Sequence, residues 1–254
     1  MISLAGKAAL VTGGSRGIGA ATVKMFAQAG ADVVFSYHRD RNSAKQIEQE
    51  TRKHGTRVES FKADSGKMAE ARKLVDFTRE RLGRLDILVA NAGIWNNEEV
   101  SVDKLQESDW DEMVRVNLKG VYTVVHHAIP HMISQRGGRI IAVGSVAGQR
   151  GTALHAHYSA TKGGVVSFVK ALSAELARYN ILVNCIAPGF VDTDILKKFM
   201  KEKAQIKGLL AQYPLNRVAR PEEVAGPILF AASDLATYIT GEVINVNGGS
   251  FRCG

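Results

Sequence analysis

Three residues in the middle of the chain have the types and the spacing for proton chemistry. Ser145 is followed by Tyr158 thirteen residues later, and Lys162 stands four residues after the tyrosine. Side chains four residues apart lie one above the other on a helix. A lysine ammonium beside a phenol favours the phenolate, so it lowers a phenol pKa that starts near roughly 10. The pattern is typical of a proton donor matched to neutral pH, although tyrosine–lysine pairs also occur on ordinary helix surfaces.

A glycine-rich turn near the N-terminus joins a predicted strand at 7–11 to a predicted helix that begins at Gly17. The glycines of the turn are Gly13, Gly17 and Gly19, which differs from the usual G-x-G-x-x-G spacing of dinucleotide sites. Small residues let the backbone approach a phosphate, and the amides at a helix N-terminus face the anion. The turn therefore indicates a phosphate-binding site, with a plain strand–helix connection as the alternative.

The end of the next strand indicates which dinucleotide would bind. This strand is predicted at 32–37 and runs through Tyr37 into His38 and Arg39. An NAD-selective site places an acidic residue at this strand end, where it accepts hydrogen bonds from the ribose 2′-hydroxyl. Here Arg39, together with Arg16 in the glycine turn, offers guanidinium groups that suit a 2′-phosphate. We therefore predict NADP(H) as the cofactor, the alternative being that both arginines are merely solvated.

Apolar segments of strand length alternate with helical segments along the whole chain. Near-continuous apolar strands separated by helices predict a parallel sheet that is covered on both faces. The sequence of 254 residues contains no linker, repeat or low-complexity tract. We predict one α/β domain over 1–254, a Rossmann-type doubly wound fold with about seven parallel strands and a substrate lid at about 190–215. Further strands are predicted at 58–61, 86–93, 139–143, 181–186 and 243–246, and helices at 43–54, 68–82, 109–133, 152–179 and 221–232.

The composition argues against several other classes of protein. Apolar residues make up 45% of the chain and charged residues 23%, as in ordinary globular proteins. No apolar run approaches the roughly 20 residues that span a bilayer. The net charge is +8, but basic residues are interleaved with acidic ones, which favours a phosphate-bearing ligand or an acidic partner over nucleic acid. Only Cys185 and Cys253 are present, so we expect a cytoplasmic protein without disulfides. Because no apolar run could span a bilayer, we also expect no membrane partner.

Three histidines close together in the sequence could suggest a metal site. His126, His127 and His131 fall on one predicted helix. The chain has no H-E-x-x-H motif and no acidic residue at ligand spacing from these histidines, so we predict surface or subunit-interface histidines and no metal.

Taken together, the motifs resemble those of one enzyme family. The chain is identified as similar to the short-chain dehydrogenase/reductases over essentially its whole length. The residues that carry the resemblance, in family order and spacing, are Thr12-Gly13-x-x-x-Gly17-x-Gly19, Asp64, Asn91-Ala92-Gly93, Asn117, Ser145, Tyr158-x-x-x-Lys162, Pro188-Gly189 and Thr193.

The resemblance implies a site for NADP(H) and a catalytic set of four residues. The implied catalytic residues are Asn117, Ser145, Tyr158 and Lys162. The implied cofactor contacts are Gly13, Ser15, Arg16, Gly17, Ile18, Gly19, Tyr37, His38, Arg39, Asp64, Ser65, Asn91, Ala92, Gly93, Tyr158, Lys162, Pro188, Gly189, Val191 and Thr193.

The resemblance also implies a role for each catalytic residue. Ser145 would hydrogen-bond the substrate carbonyl, and Tyr158 would donate the proton. Lys162 would bond the nicotinamide ribose and, with the positive charge of the oxidised cofactor, depress the pKa of Tyr158. Asn117 would kink its helix and hold a water in a relay to Lys162. At the cofactor, Asp64 would contact the adenine amine, Asn91 would help fix the adenosine end, and Val191 and Thr193 would orient the carboxamide.

Within the family the chain is most similar to the 3-oxoacyl-(acyl-carrier-protein) reductases. This implies reduction of a 3-oxoacyl thioester with NADPH in a homotetramer, with the helices at 109–133 and 152–179 pairing between subunits. An acyl carrier protein would contact Arg136, and Arg178 stands beside the second expected contact position. Gly144 departs from the pattern, because a second serine is usual there. The alternatives are a sugar or alcohol dehydrogenase working oxidatively and, from another class, a sensor that binds NADP(H) without turnover.

Overall fold

Strands and helices alternate along the chain in the computed structural model, which describes residues 2–95, 98–197, 208, 210, 211 and 213–252. Within these residues all the strands join one parallel sheet. They are β1 (Ala8–Val11), β2 (Asp32–Tyr37), β3 (Val58–Lys62), β4 (Ile87–Ala90), β5 (Gly138–Val143), β6 (Ile181–Pro188) and β7 (Val243–Val246). Their order in the sheet is β3-β2-β1-β4-β5-β6-β7, which confirms the predicted doubly wound α/β fold.

Helices cover both faces of the sheet. The apolar side chains Leu74, Val124 and Val169 come from helices on one face, whereas Phe26 and Ile228 come from helices on the other. Because both faces are covered, the strands are apolar almost throughout rather than alternating with polar residues. The described helices are α1 (Gly17–Gln28), α2 (Arg41–Thr51), α3 (Met68–Leu82), α4 (Glu107–Val114), α5 (Gly120–Ser134), α6 (Ala147–Arg150), α7 (Ala156–Leu176), α8 (Asp194–Lys197) and α9 (Pro221–Ala232).

The strand order creates a crevice at one edge of the sheet. β1 lies between β2 and β4, so the connections on its two sides run to opposite faces, and the loops there diverge. In a parallel sheet all carboxyl ends meet at the same edge. This edge therefore collects the predicted site residues that directly follow the strands, among them Gly13, Arg39, Asp64, Asn91 and Ser145.

The helix predicted at 109–133 is interrupted in the structure. α4 ends at Val114, a π-helical segment spans Arg115–Lys119, and α5 follows. Across this segment the Gly120 amide donates to the Arg115 carbonyl, five residues back rather than four. One extra residue in a turn is the usual form of a π-bulge, and such bulges occur often at functional sites. Asn117 lies in the middle of this segment.

The predicted lid at 190–215 lies in part outside the described residues, which leave out 198–207, 209 and 212. At its beginning, Val191 pairs with Ala219 in an isolated parallel bridge, and α8 follows. No helix of the described part of the chain is long and apolar enough to cross a membrane.

Candidate active site

Hydrogen bonds of Thr12 connect the turn after β1 to the end of β4. Its hydroxyl oxygen accepts hydrogen bonds from the amides of Asn91 and Ala92, both at 2.9 Å. In return, the Asn91 side-chain amide donates to the Thr12 carbonyl at 2.9 Å and to the Gly13 carbonyl at 3.3 Å. Thr12 is almost fully buried. The four bonds join the two strands on either side of the crevice, and they give Thr12 and Asn91 a shared structural role.

The glycine turn leaves the N-terminus of α1 open toward the crevice. Gly17 has a left-handed backbone with φ +55°, and a side-chain carbon there would lie 3.0 Å from Thr193 Cγ2. A carbon at Gly19 would collide with the Gly13 carbonyl. The helix has no side-chain cap at Arg16 and no acidic residue in its first turn. The amides of this turn are thus available to an anion, and the arrangement fits the diphosphate of a dinucleotide.

Two exposed basic side chains follow β2, as the sequence predicts. His38 and Arg39 lie at the surface, and Arg16 is exposed across the turn. The nearby acid, Asp40, is engaged as the N-cap of α2, where it accepts from the Ser43 amide at 2.9 Å and from its hydroxyl at 2.6 Å. Those two bonds lower the pKa of Asp40 below its usual range, with a smaller contribution from Arg16. The strand end therefore presents positive charge, which fits a 2′-phosphate.

Asp64 lies after β3 and is held by two partners. One carboxylate oxygen accepts from the Gly66 amide at 2.9 Å and the other from Arg115 Nη1 at 2.8 Å. Burial raises the pKa of Asp64, but the Gly66 amide and Arg115 together outweigh it and keep the pKa below its ordinary value. An ionised carboxylate has further lone pairs beyond these two bonds. Asp64 can therefore still accept a hydrogen bond from an amine such as that of adenine.

Ser145 and Tyr158 meet at the carboxyl end of β5. Ser145 is buried, its oxygen accepts from the Ala147 amide at 3.1 Å, and Tyr158 is half-buried. Burial raises the pKa of the Tyr158 phenol, and the nearby Ser145 hydroxyl opposes that rise without cancelling it. The phenol is thus protonated at neutral pH with a hydroxyl beside it.

Lys162 lies next to Tyr158 on the same helix, as the spacing of the two residues predicts. Its Nζ donates to the Val143 carbonyl at 2.8 Å and lies 5.9 Å from the centre of the Tyr158 ring. Burial lowers the pKa of Lys162 to about 8, while nearby Cys185 opposes the shift. In the chain without a bound cofactor, the pKa of Tyr158 is not lowered in the way that the resemblance implies. Burial raises this pKa by more than the neighbouring groups lower it. The lysine instead holds a position between β5 and the tyrosine.

Asn117 fixes the loop after β4 against the π-helical segment. The fully buried Asn117 accepts from the Ile94 amide at 2.8 Å and donates to the Ile94 carbonyl at 2.8 Å. A carbon added at Gly93 would lie 3.1 Å from Asn117 Oδ1 and 3.6 Å from Lys162 Nζ, so both side chains border this glycine. The amide of Asn117 thereby positions the loop next to the lysine. The water relay through Asn117 stays a prediction.

The segment after β6 crosses toward α1. The Gly189 amide donates to the Val246 carbonyl at 3.0 Å and continues the pairing with β7 beyond Pro188. Val191 is buried, and Thr193 reaches the first turn of α1 at Gly17. The structure therefore brings Thr193 to the glycine turn, and the contact of Val191 and Thr193 with a carboxamide stays a prediction.

Comparison with known proteins identifies the family. A short-chain dehydrogenase from Burkholderia cenocepacia, solved in complex with NADP, is 32% identical and superposes with a TM-score of 0.89 over 97% of this chain and 98% of its own. The family described as Enoyl-(Acyl carrier protein) reductase matches residues 13–250. The chain belongs to the short-chain dehydrogenase/reductase family. The 3-oxoacyl-(acyl-carrier-protein) reductases of Thermotoga maritima and Aquifex aeolicus are each 39% identical to it, over 97% and 98% of this chain and 98% and 99% of theirs.

In this short-chain dehydrogenase/reductase aromatic side chains lie beside Tyr158. The Trp95 ring lies 5.2 Å from the His155 ring and 6.3 Å from the Tyr158 ring. His155 and His157 are buried, and burial lowers the pKa of both imidazoles. A cavity of about 470 Å³ lies between the beginning of the lid segment at Phe190 and the end of β7.

The two arginines predicted to contact a carrier protein lie far from Ser145 within one chain. Arg136 and Arg178 precede β5 and β6 and are exposed at the amino edge of the sheet, whereas Ser145 follows β5 at the carboxyl edge. A strand of six residues spans about 20 Å. Arg178 also stacks on Tyr179, with 4.8 Å between its guanidinium carbon and the ring centre.

Three residues of the site are not among those that the sequence singles out. Thr12 appears only as part of the glycine motif, although it holds the two loops together. Arg115 binds Asp64, and the only feature of the sequence that points to it is its position two residues before Asn117. Cys185 is buried near Lys162 and has no signal. Among the described residues no group of three or more His, Cys, Asp or Glu is placed to hold a metal.

Proposed function

We propose that this enzyme uses NADPH to reduce the ketone of a 3-oxoacyl thioester to a secondary alcohol, with Tyr158 as the proton donor. The observation that carries the proposal is the meeting of three side chains at the carboxyl end of the sheet. The Ser145 hydroxyl is close enough to Tyr158 to influence the pKa of the phenol, and Lys162 Nζ lies 5.9 Å from the centre of the tyrosine ring. A hydroxyl and a protonated phenol side by side are what a carbonyl oxygen needs as it gains negative charge.

The cofactor fits the residues at the crevice. NADPH supplies the hydride. The uncapped first turn of α1 would hold the diphosphate, and Arg16 and Arg39 would hold the 2′-phosphate. Asp64 would accept from the adenine, while Val191 and Thr193 would contact the carboxamide. The similar short-chain dehydrogenase solved with NADP supports this choice of cofactor.

The proton transfer follows from the positions of the side chains. Ser145 would donate to the carbonyl oxygen of the substrate, and the Tyr158 hydroxyl would release its proton to the same oxygen. Because its pKa is raised, Tyr158 is protonated before the reaction, so each catalytic cycle begins with the proton on the phenol. The charged form of Lys162 would stabilise the phenolate left behind. Asn117 keeps the loop at Gly93 in place beside Lys162.

The substrate class rests on the relatives named above. Two enzymes that are 39% identical over nearly their whole length act, by their names, on 3-oxoacyl groups attached to acyl carrier protein. We infer an acidic carrier as the partner, contacted by Arg136 and Arg178, and a homotetrameric enzyme in the cytoplasm. A net charge of +8 suits an acidic partner. The wall formed by Trp95 and His155 would contact the acyl chain near the ketone.

The test is oxidation of NADPH with acetoacetyl-CoA, a soluble stand-in for the carrier-bound substrate, with NADH and crotonyl-CoA run in parallel. We expect turnover with acetoacetyl-CoA and NADPH. Tyr158→Phe should lower kcat by about 100-fold or more while NADP⁺ binding stays within about twofold, since only the proton donor is lost. Tyr238→Phe, at a fully exposed tyrosine, is the matched control and should behave as wild type.

Other outcomes would change the proposal. Wild-type turnover in Tyr158→Phe would contradict the role of the tyrosine. Reduction of crotonyl-CoA alone would indicate an enoyl reductase, as the family description reads. Tight NADPH binding without acetoacetyl-CoA reduction, together with faster oxidation of alcohols or sugars, would favour the oxidative dehydrogenase. NADP(H) binding with no turnover on any of these substrates would favour the sensor.

A further inference from the structure

We propose that Arg115 is a positioning residue that ties the adenine end of the cofactor site to the segment carrying Asn117. The inference rests on the proposed function for the roles of Asp64 and Asn117. It adds a residue to which the sequence assigns no role. Arg115 opens the π-helical segment, two residues before Asn117 and at the end of α4.

The guanidinium of Arg115 holds two carboxylates from different elements. Nη1 donates to Asp64 at 2.8 Å, while Nε and Nη2 donate to Glu112 at 2.6 and 2.8 Å. Asp64 follows β3, and Glu112 lies on α4. The side chain of Asp64 is 9% exposed and that of Arg115 is 30% exposed, so this is a partly buried clamp rather than a solvated surface pair. Its loss would leave a buried carboxylate with only the Gly66 amide.

The same loop touches the π-helical segment at further points. The Thr123 hydroxyl on α5 donates to the Ser65 carbonyl, directly after Asp64, and it also bonds the Gly120 carbonyl at 3.1 Å. A carbon added at Gly120 would lie 3.2 Å from Ser65 Oγ. The loop after β3 thus packs against both ends of the segment. A displacement of the loop is transmitted directly to the backbone around Asn117.

The positive charge of Arg115 also compensates the two carboxylates, Asp64 and Glu112, near the predicted 2′-phosphate site. Two carboxylates near a phosphate would weaken its binding. Arg115 lowers the pKa of Glu112, and Arg39 is close enough to contribute to the same shift. If Arg115 were absent, Glu112 would attract Arg39, the residue predicted to bind the 2′-phosphate. Arg115 therefore leaves Arg39 free for the cofactor and holds Asp64 toward the adenine.

The experiment compares Arg115→Ala and Arg115→Lys with wild type in two measurements. The first is the Kd of 2′,5′-ADP by calorimetry, a ligand that carries the adenosine and its phosphates but no nicotinamide. The second is kcat at saturating NADPH. For Arg115→Ala we expect the Kd to rise about tenfold and kcat to fall about tenfold. Arg115→Lys keeps the charge but cannot hold both carboxylates, so its values should lie between those of wild type and alanine.

The control is Arg81→Ala, which removes a half-exposed arginine paired with Glu59 at 2.8 Å on the far part of α3. It should leave both values unchanged, and circular dichroism should show all the variants folded. An unchanged Kd in Arg115→Ala would overturn the inference, and so would a raised Kd with an unchanged kcat. The Kd requires no turnover, and kcat can be measured with whichever ketone the enzyme reduces. A failure of the 3-oxoacyl assignment would therefore not be mistaken for a failure of this inference.

Discussion

Lys162 lies between the Val143 carbonyl and the ring of Tyr158, with almost none of its surface exposed. Burial disfavours its charged form and lowers its pKa to about 8. The site therefore contains a cation that titrates near neutral pH next to a phenol that does not, because the pKa of Tyr158 is raised above its usual value. At the scale of single residues, we expect the lysine rather than the tyrosine to set the pH limit of the free enzyme.

A pH profile of kcat/KM for NADPH tests this assignment. Lys162 is charged below its pKa and neutral above it, so the free enzyme loses a positive charge at the nicotinamide end as pH rises. We expect kcat/KM to fall as pH rises through about 8. In Lys162→Arg, whatever its absolute rate, this fall should disappear because a guanidinium stays charged. A profile that is flat well above that pH in the wild-type enzyme would contradict the assignment.

We predict that Arg39 sets the preference between the two nicotinamide cofactors. It is exposed beyond the end of β2, where the adjacent acid, Asp40, caps α2. Arg39→Ala should raise KM for NADPH at least about tenfold and leave KM for NADH nearly unchanged, because only NADPH carries the 2′-phosphate. Steady-state kinetics with both cofactors provide the measurement. Arg52→Ala, at another exposed arginine after α2, serves as the control, and equal losses for both cofactors would place the phosphate contact elsewhere.

At the scale of elements, one threonine joins the two halves of the sheet. Thr12 accepts from the amides of Asn91 and Ala92 at the point where β1 and β4 diverge. The hydroxyl is thus a fixed spacer between the loop that would cradle the diphosphate and the loop that borders Lys162. Its removal would leave the Ala92 amide without this partner and the Asn91 amide with only the Val89 carbonyl, at 3.1 Å.

Thr12→Val should lower the free energy of unfolding by about 2 kcal/mol, since unsatisfied buried amides cost about 1–3 kcal/mol each and the loops can relax in part. Thr12→Ser keeps the hydroxyl and should lose much less. Chemical denaturation of both variants measures the difference. Equal stability of Thr12→Val and Thr12→Ser would show that the amides find other partners.

The sequence predicts the elements well where one segment is enough to define them. The apolar runs are strands, and Tyr158 and Lys162 do lie on one helix, because these signals are local. The π-helical segment is not predicted, since a single extra residue in a turn leaves the apolar pattern almost unchanged. The bond from Arg115 to Asp64 joins residues 51 positions apart, and a single sequence carries no sign of such a pair.

The sequence also does not predict which groups pack around a buried side chain. The family pattern expects a serine at position 144, but a carbon added at Gly144 would lie 2.6 Å from the sulfur of Cys185. The thiol occupies the space that the serine would need. Likewise, the spacing of Tyr158 and Lys162 predicts their proximity but not the burial that raises the pKa of the phenol. Packing decides both points, and it depends on residues distant in sequence.

At the scale of the whole molecule, exposed aromatic groups lie on the helices predicted to pair between subunits. Tyr122 on α5 is 40% exposed and packs beside His126 and Phe168, at 5.6 and 6.5 Å between ring centres. Phe168 belongs to α7, so the two helices share one aromatic surface. An apolar surface of this kind suits a symmetric contact with a second copy.

Light scattering tests the predicted homotetramer. Wild-type protein at micromolar concentration should have four times the 27.5 kDa mass of one chain. Tyr122→Glu should lower that mass by placing charge on the aromatic surface, whereas Lys45→Glu on exposed α2 should not. A wild-type mass of one chain would contradict the prediction.

The position of β1 in the sheet has a consequence for the order in which the chain is made. Ala9 pairs with Val33 on one side, but its other neighbour, Ile87, is synthesised 78 residues after it. At about 5–20 residues per second, β1 to β3 can assemble on the ribosome on the order of a few seconds before β4 emerges. During that time one edge of an apolar strand, fully buried in the finished protein, has no neighbour. The crevice between β1 and β4 thus begins as an open strand edge on the nascent chain, where another chain can pair before β4 does.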